Sequence, residues 1–442
     1  MDVAHGRRLM RLRRMGRMPL ISPRLWFRRV VFWVGALLVA TVAVLFAQAA
    51  NWSAAQFLHV IAGRPWLPFV LAPLGLTISF LLTKHVFPGA QGSGIPQTIA
   101  ALHMHDQELI GRVLSLRIAV GKVLLTLLGL ACGASIGREG PTVQVGASIM
   151  HAMGNLLRLP RPELRRALVL AGGAAGIAGA FNTPLAGIVF AIEELSHSFE
   201  ARTSGTVFTA VVIAGATTLG LVGNYTYFGQ TSAQIGNHAA TEAVVLCSLA
   251  GGILGGCFSQ ALIIAAKGLP GWSGRLIMRY PVVFAAACGL ALAILGWLSN
   301  GQTYGTGYDQ ARMMVENRAI LPPSYALLKF AATVVSYVSG IPGGIFAPSL
   351  SVGAGLGSVL APLVPAAPMG AMILLGMTAY FSGVVQAPIT ATVIVMEMTA
   401  NQSLTIPLMA TAFLSFAISR LICRRPLYSA LARRFLALQG GH

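Results

Sequence analysis

Acidic residues are scarce in this sequence: Asp and Glu together number 12 in 442 residues, against 31 Lys and Arg, and charged residues make up only 10%. A soluble domain carries about 25%, so an ordinary water-solvated surface is excluded. Cysteine is sparse as well. The five (Cys132, Cys247, Cys257, Cys288 and Cys423) are scattered, mostly in apolar stretches, with no CxxC pair. That excludes a disulfide framework and a cysteine-built metal site, and implies free, buried, inert thiols. Also missing are a Ser/Pro-rich linker, a low-complexity tract and any polar block long enough to fold, so no separate soluble domain is expected.

What fills the chain instead is hydrocarbon, at 55% hydrophobic residues. Apolar runs of roughly 20 residues, enough to cross a bilayer, begin with Val30–Ala50. They recur around positions 75, 125, 180, 215, 255, 290, 355, 378 and 412. The fold class is all-α and polytopic in the membrane. Ala47-Gln48-Ala49 imitates a signal cleavage site. The basic region before it and the first apolar run are both too long for a secretory signal, whose apolar core is about 7–15 residues, so a retained first helix is expected.

The net charge of +19 is placed at the ends. Nine arginines fall between Arg7 and Arg29, and Arg420, Arg424, Arg425, Arg433 and Arg434 close the chain. This placement follows the positive-inside rule and predicts two cytoplasmic termini, with no nucleic-acid partner. The expected division is a basic cytoplasmic tail over residues 1–29 and a transmembrane transport domain over 30–442, ending in a short cytoplasmic helix or tail.

The sequence repeats itself. GREGPTVQVGA (137–147) aligns with GIFAPSLSVGA (344–354), and GAFNTPLAGIVFAIEEL (179–195) aligns with GVVQAPITATVIVMEMT (383–399), at nearly one offset. Gly137, Pro141, Gly146, Pro184 and Glu193 recur as Gly344, Pro348, Gly353, Pro388 and Glu397. Transporters are often built from two such halves, with the substrate site at their interface; the spacing leaves open whether the halves are parallel or inverted. Glycine and proline also break the apolar runs at 92–96, 137–141, 182–184, 340–348 and 386–388. Within lipid, broken backbone is tolerated only inside protein or along a wet cavity. Each break leaves unpaired N–H groups at the next helix start, where the dipole also favours an anion. Five breaks, two of them related by the repeat, point to an anion pathway.

Four acids lie within or beside apolar segments: Glu139, Glu193, Glu194 and Glu397. An intramembrane carboxylate costs several kcal/mol and suggests an ion or proton route. Glu139 stands at an expected helix start between Arg138 and Gly140, where a carboxylate can occupy the anion site and vacate it on protonation. Glu193 and Glu194 end a helical run, where the dipole disfavours acids, and either could pass protons to the cytoplasm or pair with a loop arginine. Glu397, at the repeat position of Glu193, reads as structural. Gly133-Ala134-Ser135 and Gly146-Ala147-Ser148, with His151 nearby, faintly suggest an intramembrane serine protease, but neither serine is followed by glycine. His103, His105 and Asp106 read as a solvated face rather than a metal site.

Ser93 within GSGIP (92–96), GREGP (137–141), GIPGGIFAP (340–348) and Tyr428 within PLYSAL (426–431) match four signatures in chain order. By them the chain resembles the CLC family of chloride/proton antiporters and chloride channels over nearly its whole length. The resemblance implies a homodimer whose subunits each hold a pore made of two inverted repeats of tilted, broken helices. It implies Ser93 and Tyr428 hydroxyls and Ile345 and Phe346 backbone N–H groups on a central chloride. Glu139 would be the external gate, competing with chloride near Arg138 and Gly140, and Glu194 the internal proton-transfer acid. Neutral donors suit a large, weakly hydrated anion that must bind and leave.

Serine in GSGIP resembles the chloride-type members. Gln97 replaces the acid often found after that motif, with little effect expected on the pore, and no C-terminal regulatory (CBS) pair is expected. The implied partners are chloride, the proton and membrane lipid, in a bacterial inner membrane, with no cofactor and no enzymatic activity. With both Glu139 and Glu194 present, the resemblance favours an antiporter; the alternative is a passive chloride channel.

Overall fold

The chain is helical where its apolar runs are continuous and breaks where Gly and Pro interrupt them. The structure, a computed structural model, describes residues 23–158, 162–196 and 201–437. Most of the expected basic tail, residues 1–22, lies outside the described residues. The first half comprises α1 (Pro23–Ile61), α2 (Pro68–His85), α3 (Ile95–His103), α4 (Gln107–Val113), α5 (Leu116–Ala131) and α6 (Glu139–Leu156). It continues with α7 (Pro162–Phe181), α8 (Pro184–Phe190, extended by a π turn over Ala191–Ser196) and α9 (Ala201–Val222). The second half comprises α10 (Asn237–Lys267), α11 (Gly271–Arg279), α12 (Pro281–Leu298), α13 (Tyr308–Val315) and α14 (Tyr325–Val338). Then come α15 (Phe346–Leu360), α16 (Met369–Val385), α17 (Pro388–Thr399) and α18 (Thr405–Ile422), and α19 (Leu427–Leu436) closes the described chain.

Among the described residues, nine helices are long and apolar enough to cross a membrane. They coincide with the apolar runs read from the sequence except the one near 180, which is broken between α7 and α8, and the one near 378. There α16 has 17 residues, and it is buried along nearly its whole length. The first helix begins seven residues ahead of the expected boundary at 30, because Pro23 can open a helix that the arginines following it continue.

The two halves match in element order. α1, α2, α3 and α5 through α9 recur as α10, α12, α13 and α14 through α18, with α4, α11 and α19 unmatched. The longest helices, α1 (39 residues) and α10 (31 residues), hold equivalent places. At 1.5 Å per residue α1 is about 58 Å long, well beyond a hydrocarbon core of about 30 Å, so tilt or protrusion is required.

Contacts across the repeat are reciprocal, as a local two-fold demands. Gly137 and Gly344 exchange both backbone hydrogen bonds, each 2.7 Å. α6 and α15 leave this pairing in turn, so their N-termini meet at one place and the helices diverge, the arrangement of inverted repeats. Glu193 accepts from the N–H groups of Ile389 (3.1 Å) and Thr390 (2.6 Å) and from Thr390 Oγ1 (2.7 Å) at the start of α17. Its repeat mate Glu397 accepts from Leu185 (3.1 Å) and Ala186 (2.8 Å) at the start of α8. Each half thus supplies the N-terminal cap of the other's short helix.

The repeated glycines have a steric cause. A Cβ on Gly146 would lie 2.3 Å from Gly172 O, and one on Gly353 would lie 2.6 Å from Gly376 O. The α6–α7 and α15–α16 crossings both need bare backbone, as small residues provide in membrane bundles.

Candidate functional site

Buried cations fix the loops that carry the site. Lys122, inside α5, is fully buried and donates to the carbonyls of Ala90 (2.6 Å), Gln91 (3.3 Å) and Gly92 (2.8 Å), just before Ser93. Lys329, its counterpart in α14, donates to Thr303 O (2.9 Å) and Gly305 O (2.8 Å). The loop it holds, Gly305-Thr306-Gly307, is the repeat counterpart of Gly92-Ser93-Gly94. Gly94 and Gly307 each precede their helix in the left-handed region, at φ 98° and 78°, a conformation glycine adopts without steric cost.

The counterparts then differ: Thr306 Oγ1 accepts from the Tyr308 N–H (3.2 Å), whereas Ser93 Oγ has no well-formed partner. Gln97 donates to Gly89 O (3.2 Å) and Gln91 O (2.6 Å), so the departure from the acidic residue is a tie that braces the Ser93 loop. Gly92 and Gly343 complete the junction through the bonds Gly92 N–H to Ile341 O (3.2 Å) and Gly343 N–H to Gly92 O (3.0 Å).

Three interrupted segments therefore meet: the Ser93 loop, the start of α6 and the start of α15. Arg138, Glu139 and Gly140 stand at the α6 start and Ile345 and Phe346 at the α15 start, where the first N–H groups of a helix have no intrahelical partner. A Cβ on Gly140 would lie 2.2 Å from Ser93 Oγ, and one on Gly137 would lie 2.2 Å from Glu139 Oε2. Those two glycines leave the space in which the hydroxyl and the carboxylate sit.

The Glu139 carboxylate is buried and turned toward the Ala347 N–H of the first turn of α15. Arg138 is tied to α1 through Ala47 O and Asn51 Oδ1 (2.6 Å to the latter), which holds its charge beside the site. Phe346 centres an aromatic cluster, stacked on Tyr428 with ring centroids 6.3 Å apart and edge-on to Phe381 (4.6 Å) and Phe190 (5.8 Å).

Tyr428, delivered by α19, is fully buried with its hydroxyl close to that of Ser93, but neither forms a hydrogen bond of normal geometry. Glu194, also buried, sits on the π turn within electrostatic reach of Tyr428, and its Oε1 has no partner. π turns recur at functional sites. Three buried side chains, Glu139, Ser93 and Tyr428, each present an oxygen without a partner to this region, and Glu194 adds a fourth on the Tyr428 side. An unpaired buried polar atom costs about 1–3 kcal/mol, so such a group of them needs a reason. A cavity of about 160 Å³, lined by Ser93, Gln97, Tyr337 and Arg434 among others, approaches Ser93 from the α19 side.

Ser93, Arg138, Glu139, Gly140, Ile345, Phe346 and Tyr428 thus lie around one junction, with Glu194 on its Tyr428 side. Glu193 is separated from Glu194 and committed to capping α17. Asn51, Lys122, Lys329 and Tyr227, whose hydroxyl donates to Glu139 Oε1 at 3.2 Å, are not marked out by any motif. Lys122 carries a signal nonetheless, a lone cation within an apolar run, repeated at Lys329. Of the residues weighed for other chemistry, Ser135 pairs with Thr333 (3.0 Å), and His151 pairs with Asn155 (3.0 Å). The thiols depart from expectation at Cys257, which is exposed on α10, and at Cys132, which is only partly buried; all five are free of disulfides.

A family model described as a voltage gated chloride channel matches residues 74–420. The chain is 31% identical over 430 residues to the H(+)/Cl(-) exchange transporter ClcA of Klebsiella pneumoniae subsp. pneumoniae, covering 91% of this chain and 87% of that protein. Against the ClcA of Yersinia pestis it is 33% identical over 423 residues, covering 90% and 85%. Among solved structures, a slow cyanobacterial Cl-/H+ antiporter aligns with a TM-score of 0.80 at 25% identity, covering 93% of this chain and 99% of that one. A CLC-type fluoride/proton antiporter shares the fold with a TM-score of 0.76 at 24% identity, covering 91% and 98%. With two inverted halves joined at helix N-termini and the family model spanning most of its length, the chain belongs to the voltage-gated chloride channel (CLC) family.

Proposed function

We propose that this protein exchanges chloride for protons across a bacterial inner membrane. The observation that carries the reading is the set of unpartnered oxygens on Glu139, Ser93 and Tyr428 near the place where two helix N-termini meet, with a fourth, on Glu194, on the Tyr428 side. Ser93 Oγ and Tyr428 Oη, with the Ile345 and Phe346 N–H groups, are donors for a dehydrated anion: neutral, several, and individually weak enough to release it. Arg138 and the Gly140 backbone favour an anion at the outer end of the site.

Glu139 is the external gate. Ionised, its carboxylate takes the place of chloride at the α6 start; protonated, it loses the charge that holds it there, and chloride advances. Glu194, on the side of Tyr428, passes protons inward. Glu193 has no share in this, because its carboxylate is engaged by three donors of α17.

Both termini are cytoplasmic in this reading, with Arg424, Arg425, Arg433 and Arg434 on that side. The protein works as a homodimer. Leu185 on α8 and Ile389 on α17, repeat mates, are each about half exposed. These helices are too short to span a bilayer, and backbone breaks precede both. Broken backbone at membrane depth needs protein against it, and a second copy supplies that cover.

Glu139→Gln tests the reading: proteoliposomes of this variant pass chloride without moving protons. Proton transport equal to wild type would refute the gating role.

A further inference from the structure

We propose that Tyr227 is a latch that holds Glu139 in its seated position and thereby sets how readily the site opens to chloride. The inference rests on the gating role of Glu139 given above, and goes beyond it by adding a second residue to the gate. Its basis is geometric. The Tyr227 hydroxyl donates to Glu139 Oε1 at 3.2 Å, while Oε2 has no partner of normal geometry. Tyr227 is therefore the side chain that ties the carboxylate down.

The ring that carries this hydroxyl cannot swing. Tyr227 is 1% exposed. It meets Phe181 (5.1 Å between centroids), Phe228 (4.8 Å) and Tyr308 (4.8 Å), all edge-on, and the Arg138 guanidinium lies 5.8 Å from its centroid. The segment bearing it, 223–236, links the two halves and is fastened to both. Asn182 of the first half donates to Tyr225 O (3.1 Å); Met398 of the second accepts from the Phe228 N–H (3.0 Å), and Asn401 donates to Thr231 O (2.9 Å). The hydroxyl is thus a fixed donor, and the carboxylate is the moving part.

An O–H donor favours the ionised carboxylate over the protonated acid, so Tyr227 stabilises the closed gate and protonation loosens it. Other titratable or charged groups facing this pair are Arg138 from α6, Tyr225 from the same segment, Tyr308 from α13 and Tyr428 from α19. None of them places a hydroxyl on the carboxylate.

Tyr227→Phe removes the hydroxyl and keeps the ring. In proteoliposomes this variant is expected to turn over chloride roughly three- to ten-fold faster, the range for losing one charge-assisted hydrogen bond that is long for its type. Its flux–pH curve is expected to shift toward higher pH. Tyr227→Met, a second hydroxyl-free variant, must shift the curve in the same direction. In a Glu139→Gln background, Tyr227→Phe should change nothing further, since the charge it restrains is gone.

A wild-type rate and pH curve for Tyr227→Phe, alongside an uncoupled Glu139→Gln, would overturn the latch and leave the gate standing. An equal acceleration in both backgrounds would also overturn it, by showing that Tyr227 acts elsewhere. Proton transport by Glu139→Gln would instead sink the gating reading itself.

Discussion

Glu193 and Glu397, mates across the repeat, each cap a helix in the opposite half, so both are expected to act on stability and not on proton movement. Glu193→Ala removes three hydrogen bonds to a carboxylate, at 2.6, 2.7 and 3.1 Å. Glu397→Ala removes two, at 2.8 and 3.1 Å. A lost N-cap costs about 1–2 kcal/mol, and charge-assisted bonds are about twice as strong as neutral ones. Partial exposure of both sites lowers the sum, which gives about 3 kcal/mol for Glu193→Ala and about 2 kcal/mol for Glu397→Ala.

Because α8 and α17 pack on one another, loosening one cap frees the other, and the double variant should lose less than the sum. Thermal unfolding in detergent, followed by loss of the monodisperse species, reads all three variants. Proton/chloride coupling in liposomes should be retained by both single variants. An unchanged midpoint for Glu193→Ala, together with lost proton transport, would refute the capping role and make Glu193 the proton carrier.

At the junction itself, Tyr428→Phe and Ser93→Ala each remove one neutral donor and should weaken chloride binding about three- to ten-fold by titration calorimetry, with the fold intact. Lys122→Met leaves the carbonyls of Ala90, Gln91 and Gly92 without their shared donor. It should cost about 3 kcal/mol or more in stability, seen as a lower unfolding midpoint, and Lys329→Met should behave similarly. Glu194→Gln should abolish proton movement while chloride transport continues, whereas Glu193→Gln should leave both.

Much of this molecule is legible in its amino acids. The recurrence of Gly137, Gly146, Pro184 and Glu193 at nearly one offset marks positions with paired physical jobs: a reciprocal backbone bridge, a close helix crossing, a helix start and a cap. What spacing does not convey is the sense of the repeat, which is fixed by reciprocal bonds in space, between Gly137 and Gly344 and from the opposite helix starts to Glu193 and Glu397. Nor does it separate Glu193 from Glu194. Adjacent residues of a helical turn project in different directions, so one acid meets α17 while the other turns into the core.

Lys122 is readable in principle, as a cation inside an apolar run. Tyr227 is not. It lies in a polar link whose course is set by bonds to residues in both halves, and no local pattern announces a tyrosine placed over a carboxylate 88 positions away. The exposure of Cys257 has the opposite lesson: an apolar helix in a membrane has a lipid face, so an apolar run does not imply burial in protein.

The most direct test of coupled exchange is made on wild-type protein reconstituted into chloride-loaded liposomes, recording chloride efflux and external pH together. Exchange predicts that the outward chloride gradient drives protons inward, alkalinising the medium as chloride leaves. Chloride efflux with no proton movement would contradict it, and would identify a passive chloride channel.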